Sequence, residues 1–169
     1  MMRTFNRLLP QGAGLAPAVR RRAPSLALDW DARQKSRLHA ELAGEPVALV
    51  LPRGRVMRGG DVLVDEGGGL LCIAAAKQPL LRVTPCPTHG SALDLLRAAY
   101  HLGNRHVVLE VTPEHLQLEP DHVLADMLRA MHLMVHEVQA AFEPEAGAYA
   151  SHGHAAGHTH EHPRHDHSH

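Results

Sequence analysis

Apolar residues in the first half of the chain fall in short runs or alternate with polar ones, and turn signals interrupt them every few positions. Ser25–Trp30, Val47–Leu51, Asp61–Val64 and Leu70–Ala74 each have the length of a β-strand, as alternating or continuous apolar runs. Leu8 and Leu9 followed by Pro10, Gly12 and Gly14 predict a further strand running into a turn. Pro52-Arg53-Gly54, Gly59-Gly60-Asp61 and Gly67-Gly68-Gly69 supply the turns between strands. No stretch of this half sustains a helical period over several turns. The pattern predicts a small β-rich domain over residues 1–78.

The period changes from Pro79 onward. Leu80–Cys86 reads as a strand and Pro87-Thr88-His89-Gly90 as a loop. Ser91 then opens a helix, with Asp94 three residues later in a capping-box position. Leu95, Leu96, Ala99 and Leu102 would form its buried stripe, and Gly103-Asn104 the left-handed residues that end it. Val107–Thr112 alternates as a strand, with Val107, Leu109 and Val111 on one face. Pro113-Glu114 turns the chain, and Leu116 and Leu118 alternate again. Asp121 can cap a second helix that buries Val123, Leu124, Met127, Leu128 and Met131. Met134–Phe142 closes as a strand. The β-α-β-β-α-β order over residues 79–149 predicts a four-stranded antiparallel sheet with two helices on one face. The fold class is therefore α+β.

Residues 150–169 have no apolar run. Eight of the last eighteen residues are histidine: His152, His154, His158, His160, His162, His165, His167 and His169. Glycine, alanine and proline interrupt the tract, so it cannot build a core and reads as a disordered tail. Imidazole is the commonest side-chain ligand for Ni²⁺, Zn²⁺ and Cu²⁺, and the tract points to metal handling. Its binding should weaken below about pH 6.5, where protons compete for the ring.

Composition removes several alternatives. The formal charge of −1 gives no global pull toward nucleic acid or a membrane surface. Two phenylalanines, two tyrosines and one tryptophan are too few for an RNA-stacking sheet. No apolar stretch approaches a membrane span. The two cysteines, Cys72 and Cys86, are too far apart for a C-x-x-C site, and their scarcity favours a reducing compartment, with the cytoplasm as the default location. Arginines at positions 3, 7, 20, 21 and 22 resemble a transit-peptide bias, but without the apolar core of a secretory signal.

Eight histidines lie outside the tail, at positions 39, 89, 101, 106, 115, 122, 132 and 136. His106 follows Gly103-Asn104-Arg105 where helix becomes strand, a rigid corner suited to a ligand. His122 opens a helix beside Glu119 and Asp121. His132 and His136 have metal-pair spacing only if one helix carries both, and the pattern ends the helix between them. His39 and His115 read as solvent-face residues. His136-Glu137 begins an H-E-x-x-H-like string, but Ala140 stands at the second ligand position. Neither a G-x-S-x-G nor a phosphate-cradling glycine loop occurs, so no enzyme signature is present. Arg33, Lys35, Arg37, Arg53 and Arg55 are candidates for a basic contact patch, or for ordinary solvated charges.

Several segments together resemble one family, the urease accessory nickel chaperones (UreE). They are R-Q-K-S-R-L at 33–38, L-P-R-G at 51–54, Y-H-L-G-N-R-H at 100–106, D-H-V-L-A-D-M-L at 121–128 and F-E-P-E-A-G-A-Y at 142–149, followed by the histidine tail. Their order covers nearly the whole chain. The resemblance implies a partner-binding N-terminal domain, a ferredoxin-like metal-binding C-terminal domain and a homodimer. It implies that His106 from each subunit meets across the two-fold axis, with His122 matching a secondary ligand. Some members carry another histidine two positions before the latter; Pro120 stands there, leaving Glu119 and His115 as substitutes.

The resemblance further implies Ni²⁺ as cargo, delivered for urease active-site assembly through a GTPase of the maturation complex. Ligand chemistry alone would not choose nickel, because copper outcompetes it and zinc comes close. The rival expectation is a passive nickel, zinc or copper buffer.

Overall fold

The computed structural model describes residues 2–146; the tail histidines and Tyr149 lie outside the described residues. The N-terminal part runs β1 (Arg3–Leu9), a 3₁₀ turn (Pro10–Gly12), α1 (Pro17–Arg22), β2 (Ser25–Leu28), α2 (Trp30–Gln34), β3 (Arg37–Leu42), β4 (Glu45–Val50), β5 (Val62–Asp65) and β6 (Leu70–Ala75). Its six strands form one sheet in the order β2-β6-β5-β1-β4-β3. β1 and β4 run parallel, as do β2 and β6; the remaining pairs are antiparallel. Phe5, Leu49, Met57, Leu63, Leu71 and Ile73 fill the core of this sheet.

The expected strands occur, with three differences. The Ser25 strand stops at Leu28, because the Asp29 carboxylate accepts the Ala32 N–H at 2.8 Å and starts α2 at Trp30. Residues 37–42, left without a strand by the sequence reading, form β3 as a half-exposed edge. There Leu38, Ala40 and Leu42 alternate with exposed Arg37, His39 and Glu41. Pro17 at the first turn starts the short, wholly surface-lying α1.

The C-terminal part runs β7 (Gln78–Thr84), α3 (Ala92–Asn104), β8 (Glu110–Val111), β9 (Leu116–Leu118), α4 (His122–Ala130) and β10 (Met134–Ala140). The antiparallel sheet has the order β10-β7-β9-β8, as the β-α-β-β-α-β reading requires. Leu81, Val83, Leu95, Ala98, Leu102, Leu116, Leu118, Ala125 and Leu128 form its core. Pro85 ends β7 two residues earlier than the sequence reading placed it.

Both helices start as predicted. Asp94 accepts the Ser91 N–H at 2.7 Å and the Ser91 hydroxyl at 3.0 Å. Asp121 accepts the N–H groups of Val123 and Leu124 at 2.8 and 2.9 Å. The predicted stripes need correction, because Leu96 and Val123 are exposed while Ala98 and Ala125 are buried. Only Glu110 and Val111 of the 107–112 run pair with β9, and Val111 points outward.

A strap beyond β10 joins the two parts. Phe142 is fully buried against Trp30 and Leu80, its ring edge-on to Trp30 at 6.0 Å. Glu143 accepts from Arg33 Nη1 at 2.7 Å, from the Gly59 N–H at 2.9 Å and from Arg58 Nη1 at 3.3 Å. Its own N–H donates to Glu110 at 2.6 Å, and the Glu145 N–H donates to Leu109 O at 2.8 Å. Here F-E-P-E acts as a structural clasp.

Candidate metal centre

The end of α3 fixes His106. The His106 N–H donates to Gly103 O at 2.9 Å and the Val107 N–H to Leu102 O at 3.1 Å. This crossed pair is a Schellman motif, and it needs a left-handed residue at the position that His106 fills with φ 58°. Gly103 and Asn104, expected to be the left-handed residues, are instead the last turn of the helix. Val107 packs on the core that contains Leu102, so the corner is pinned by an apolar contact as well. The imidazole of His106 therefore stands on a fixed backbone and is exposed.

α3 carries a second apolar face beside its buried one. Leu93, Leu96 and Tyr100 are 50, 66 and 67 % exposed at i, i+3 and i+7 spacing. Gly103 continues that face one turn further, with open space where a Cβ would stand, and His106 follows directly. An apolar stripe left exposed among the described residues is what a partner surface offers.

The other candidates lie apart. His122 is the first residue of α4, exposed and beyond Asp121. Pro120 and Glu119 are exposed beside it, and His115 is half-buried. His132 repeats the geometry of His106 at the end of α4, with φ 63° and Leu133 N–H donating to Leu128 O at 3.1 Å. His136 sits in β10, opposite Arg82, so the 132/136 pair is not helical, as the pattern indicated. Among the described residues no three His, Cys, Asp or Glu side chains converge as a ready metal site. Among the described residues His106 thus stands as one exposed imidazole.

The loop before α3 brings together side chains that no sequence motif marks. Cys86 Sγ lies 3.2 Å from Thr88 Oγ1 and 3.7 Å from His89 Nδ1. Hydrogen bonding from the Thr88 hydroxyl, then from the Thr88 and His89 backbone N–H groups, holds the Cys86 thiol below its ordinary pKa. Both cysteines are free thiols.

The proposed basic patch loses a member. Arg33 is completely buried beneath Trp30 and Phe142, where it donates to Glu143 and to Phe142 O. Burial lowers its pKa and the Glu143 carboxylate opposes that shift. Arg37, Arg53 and Arg55 are exposed; Lys35 is exposed and pairs with Asp31 at 2.7 Å. None of the described helices is long and apolar enough to cross a membrane.

Residues 5–76 match the N-terminal domain model of the UreE urease accessory protein, and residues 78–169 match its C-terminal domain model. The chain is similar to the urease accessory protein UreE of Albidiferax ferrireducens, 61 % identical over 167 residues, covering 98 % of this chain and 95 % of that one. It is 55 % identical to that of Verminephrobacter eiseniae over 169 residues, with 97 and 100 % covered. For the protein of Polaromonas naphthalenivorans the identity is 59 % over 160 residues, with 94 and 76 % covered.

Proposed function

Because the chain belongs to the UreE family of urease accessory proteins, we propose that it is a cytoplasmic nickel carrier that delivers Ni²⁺ for urease active-site assembly. The carrier is a homodimer. His106 from each copy contributes one imidazole to a shared site, and the ion passes to the GTPase of the maturation complex.

The observation that carries this reading is the exposed face Leu93-Leu96-Tyr100-Gly103 leading to a rigidly held His106. An isologous contact on that face whose two-fold axis passes beside His106 brings this residue from both copies to one point. One imidazole holds a divalent ion weakly; two, completed by water or further histidines, hold it firmly enough to carry. With only nitrogen and oxygen donors the ion stays exchangeable, as delivery demands.

Chain length lets the histidine tract serve the same site. Glu145 is tethered to Leu109, and His106 lies at most about 11 Å from Leu109 along the chain. His152 is seven positions beyond Glu145, a reach of up to about 25 Å. The tail histidines therefore raise the local ligand concentration around His106. His122 serves as a secondary ligand.

The test is urease activation at limiting nickel in cells lacking their own copy of this protein. The full chain and a chain ending at Tyr149 restore activity, the latter needing more nickel, and His106→Ala fails. If His106→Ala restores activity fully and only tail removal matters, the protein is a metal buffer.

A further inference from the structure

A thiol and an imidazole already face each other in the loop between β7 and α3. Cys86 Sγ and His89 Nδ1 are 3.7 Å apart, with Thr88 Oγ1 3.0 Å from the same ring nitrogen. Gly90 holds the loop tight: its N–H donates to Cys86 O at 2.8 Å, and a Cβ on it would stand 2.4 Å from Cys86 N. That spacing requires glycine, so the two donors are held by backbone geometry. Cys86 is half-buried and His89 exposed, leaving the outer side of the pair open to solvent.

The separation is informative. A zinc ion with bonds of about 2.3 Å to sulfur and 2.05 Å to nitrogen, at a tetrahedral angle, spans donors about 3.6 Å apart. A right angle, as in square-planar coordination, would need about 3.1 Å with the same bonds. The observed pair, joined here by a thiol–imidazole hydrogen bond of 3.7 Å, is also close to the tetrahedral span and well outside the right-angle one. α3 separates this loop from His106 by thirteen helical residues, about 20 Å.

We propose that Cys86 and His89 form a two-donor chelate for Zn²⁺, one per chain and independent of the nickel site. The sulfur binds as thiolate, its proton leaving to solvent, and His89 binds through Nδ1 with its proton on Nε2. Water fills the remaining positions, so the ion is exchangeable. A sulfur donor here gives zinc a place of its own, away from the all-imidazole site at which it would compete with nickel. The inference stands whether or not His106 carries nickel.

Cobalt(II) is the probe, because thiolate ligation gives it a charge-transfer band that histidine ligation lacks. Titrating the full, reduced chain should produce that band, rising to the intensity of one thiolate-bound cobalt per chain once the histidine tail is also filled, and Zn²⁺ should abolish it. The band should vanish in Cys86→Ser and persist in Cys72→Ser and His106→Ala. In His89→Ala, an exposed position whose replacement leaves the fold intact, affinity should fall at least about tenfold, since even outer-shell partners cost 10–100-fold. Absence of the band in the full chain, its survival in Cys86→Ser, its loss in His106→Ala, or unchanged affinity in His89→Ala would each overturn the proposal.

Discussion

Arg33 and Glu143, 110 residues apart in sequence, meet at 2.7 Å and fasten the N-terminal sheet to the strap that leaves the C-terminal one. The guanidinium is wholly buried, its Nε has no hydrogen-bond partner among the described residues, and the Trp30 ring centre lies 5.3 Å from it. Removing the carboxylate leaves that charge uncompensated. Glu143→Ala should destabilise the chain by about 3 kcal/mol, the lower end for a broken buried pair because Glu143 is partly exposed. Arg33→Met should cost less, and the double variant less than the sum. Urea unfolding of the three variants checks this.

His106 occupies a left-handed position that glycine would fill more comfortably. His106→Gly should therefore be more stable than His106→Ala by about 1 kcal/mol. In residues 1–149 both should lose tight nickel binding equally. Thermal denaturation of metal-free protein, beside nickel titration, separates backbone strain from ligand loss.

Leu96 and Tyr100 are the most exposed large apolar residues on α3. If they form the dimer face, Leu96→Glu or Tyr100→Glu should give a folded monomer by sedimentation. Made in residues 1–149, the same variants should lose nickel affinity by at least about tenfold with His106 intact, since a lone imidazole remains.

Hydrogen bonds from Ser91 hold the Asp94 carboxyl below the usual carboxylate range. A depressed folded-state value means the stabilisation is complete above the unfolded value, about 3.9, and is lost as pH falls through the folded one. Asp94→Ala should melt below the parent at neutral pH, and the gap should close in strong acid. A series of melting curves against pH tests it.

Alternation and capping made most of the architecture legible. Asp94 and Asp121 start their helices where the pattern put them, and the C-terminal strand order followed from the element order. β3 went unread because its apolar side is only half-buried at a sheet edge, although Leu38-Ala40-Leu42 alternates correctly. Leu96 and Val123 were assigned to the core because sequence cannot tell a face turned to the core from one turned outward. Arg33 looked like surface charge; only its distant partner explains its burial. Glycine and asparagine near a helix end concealed that His106 itself supplies the left-handed turn.

Calorimetry on residues 1–149 tests the shared imidazole site most directly, since it removes the tail's own ligands. One tightly bound nickel per two chains is expected, abolished in His106→Ala. A tight site at one nickel per chain, no tight site, or binding unchanged in His106→Ala would contradict it.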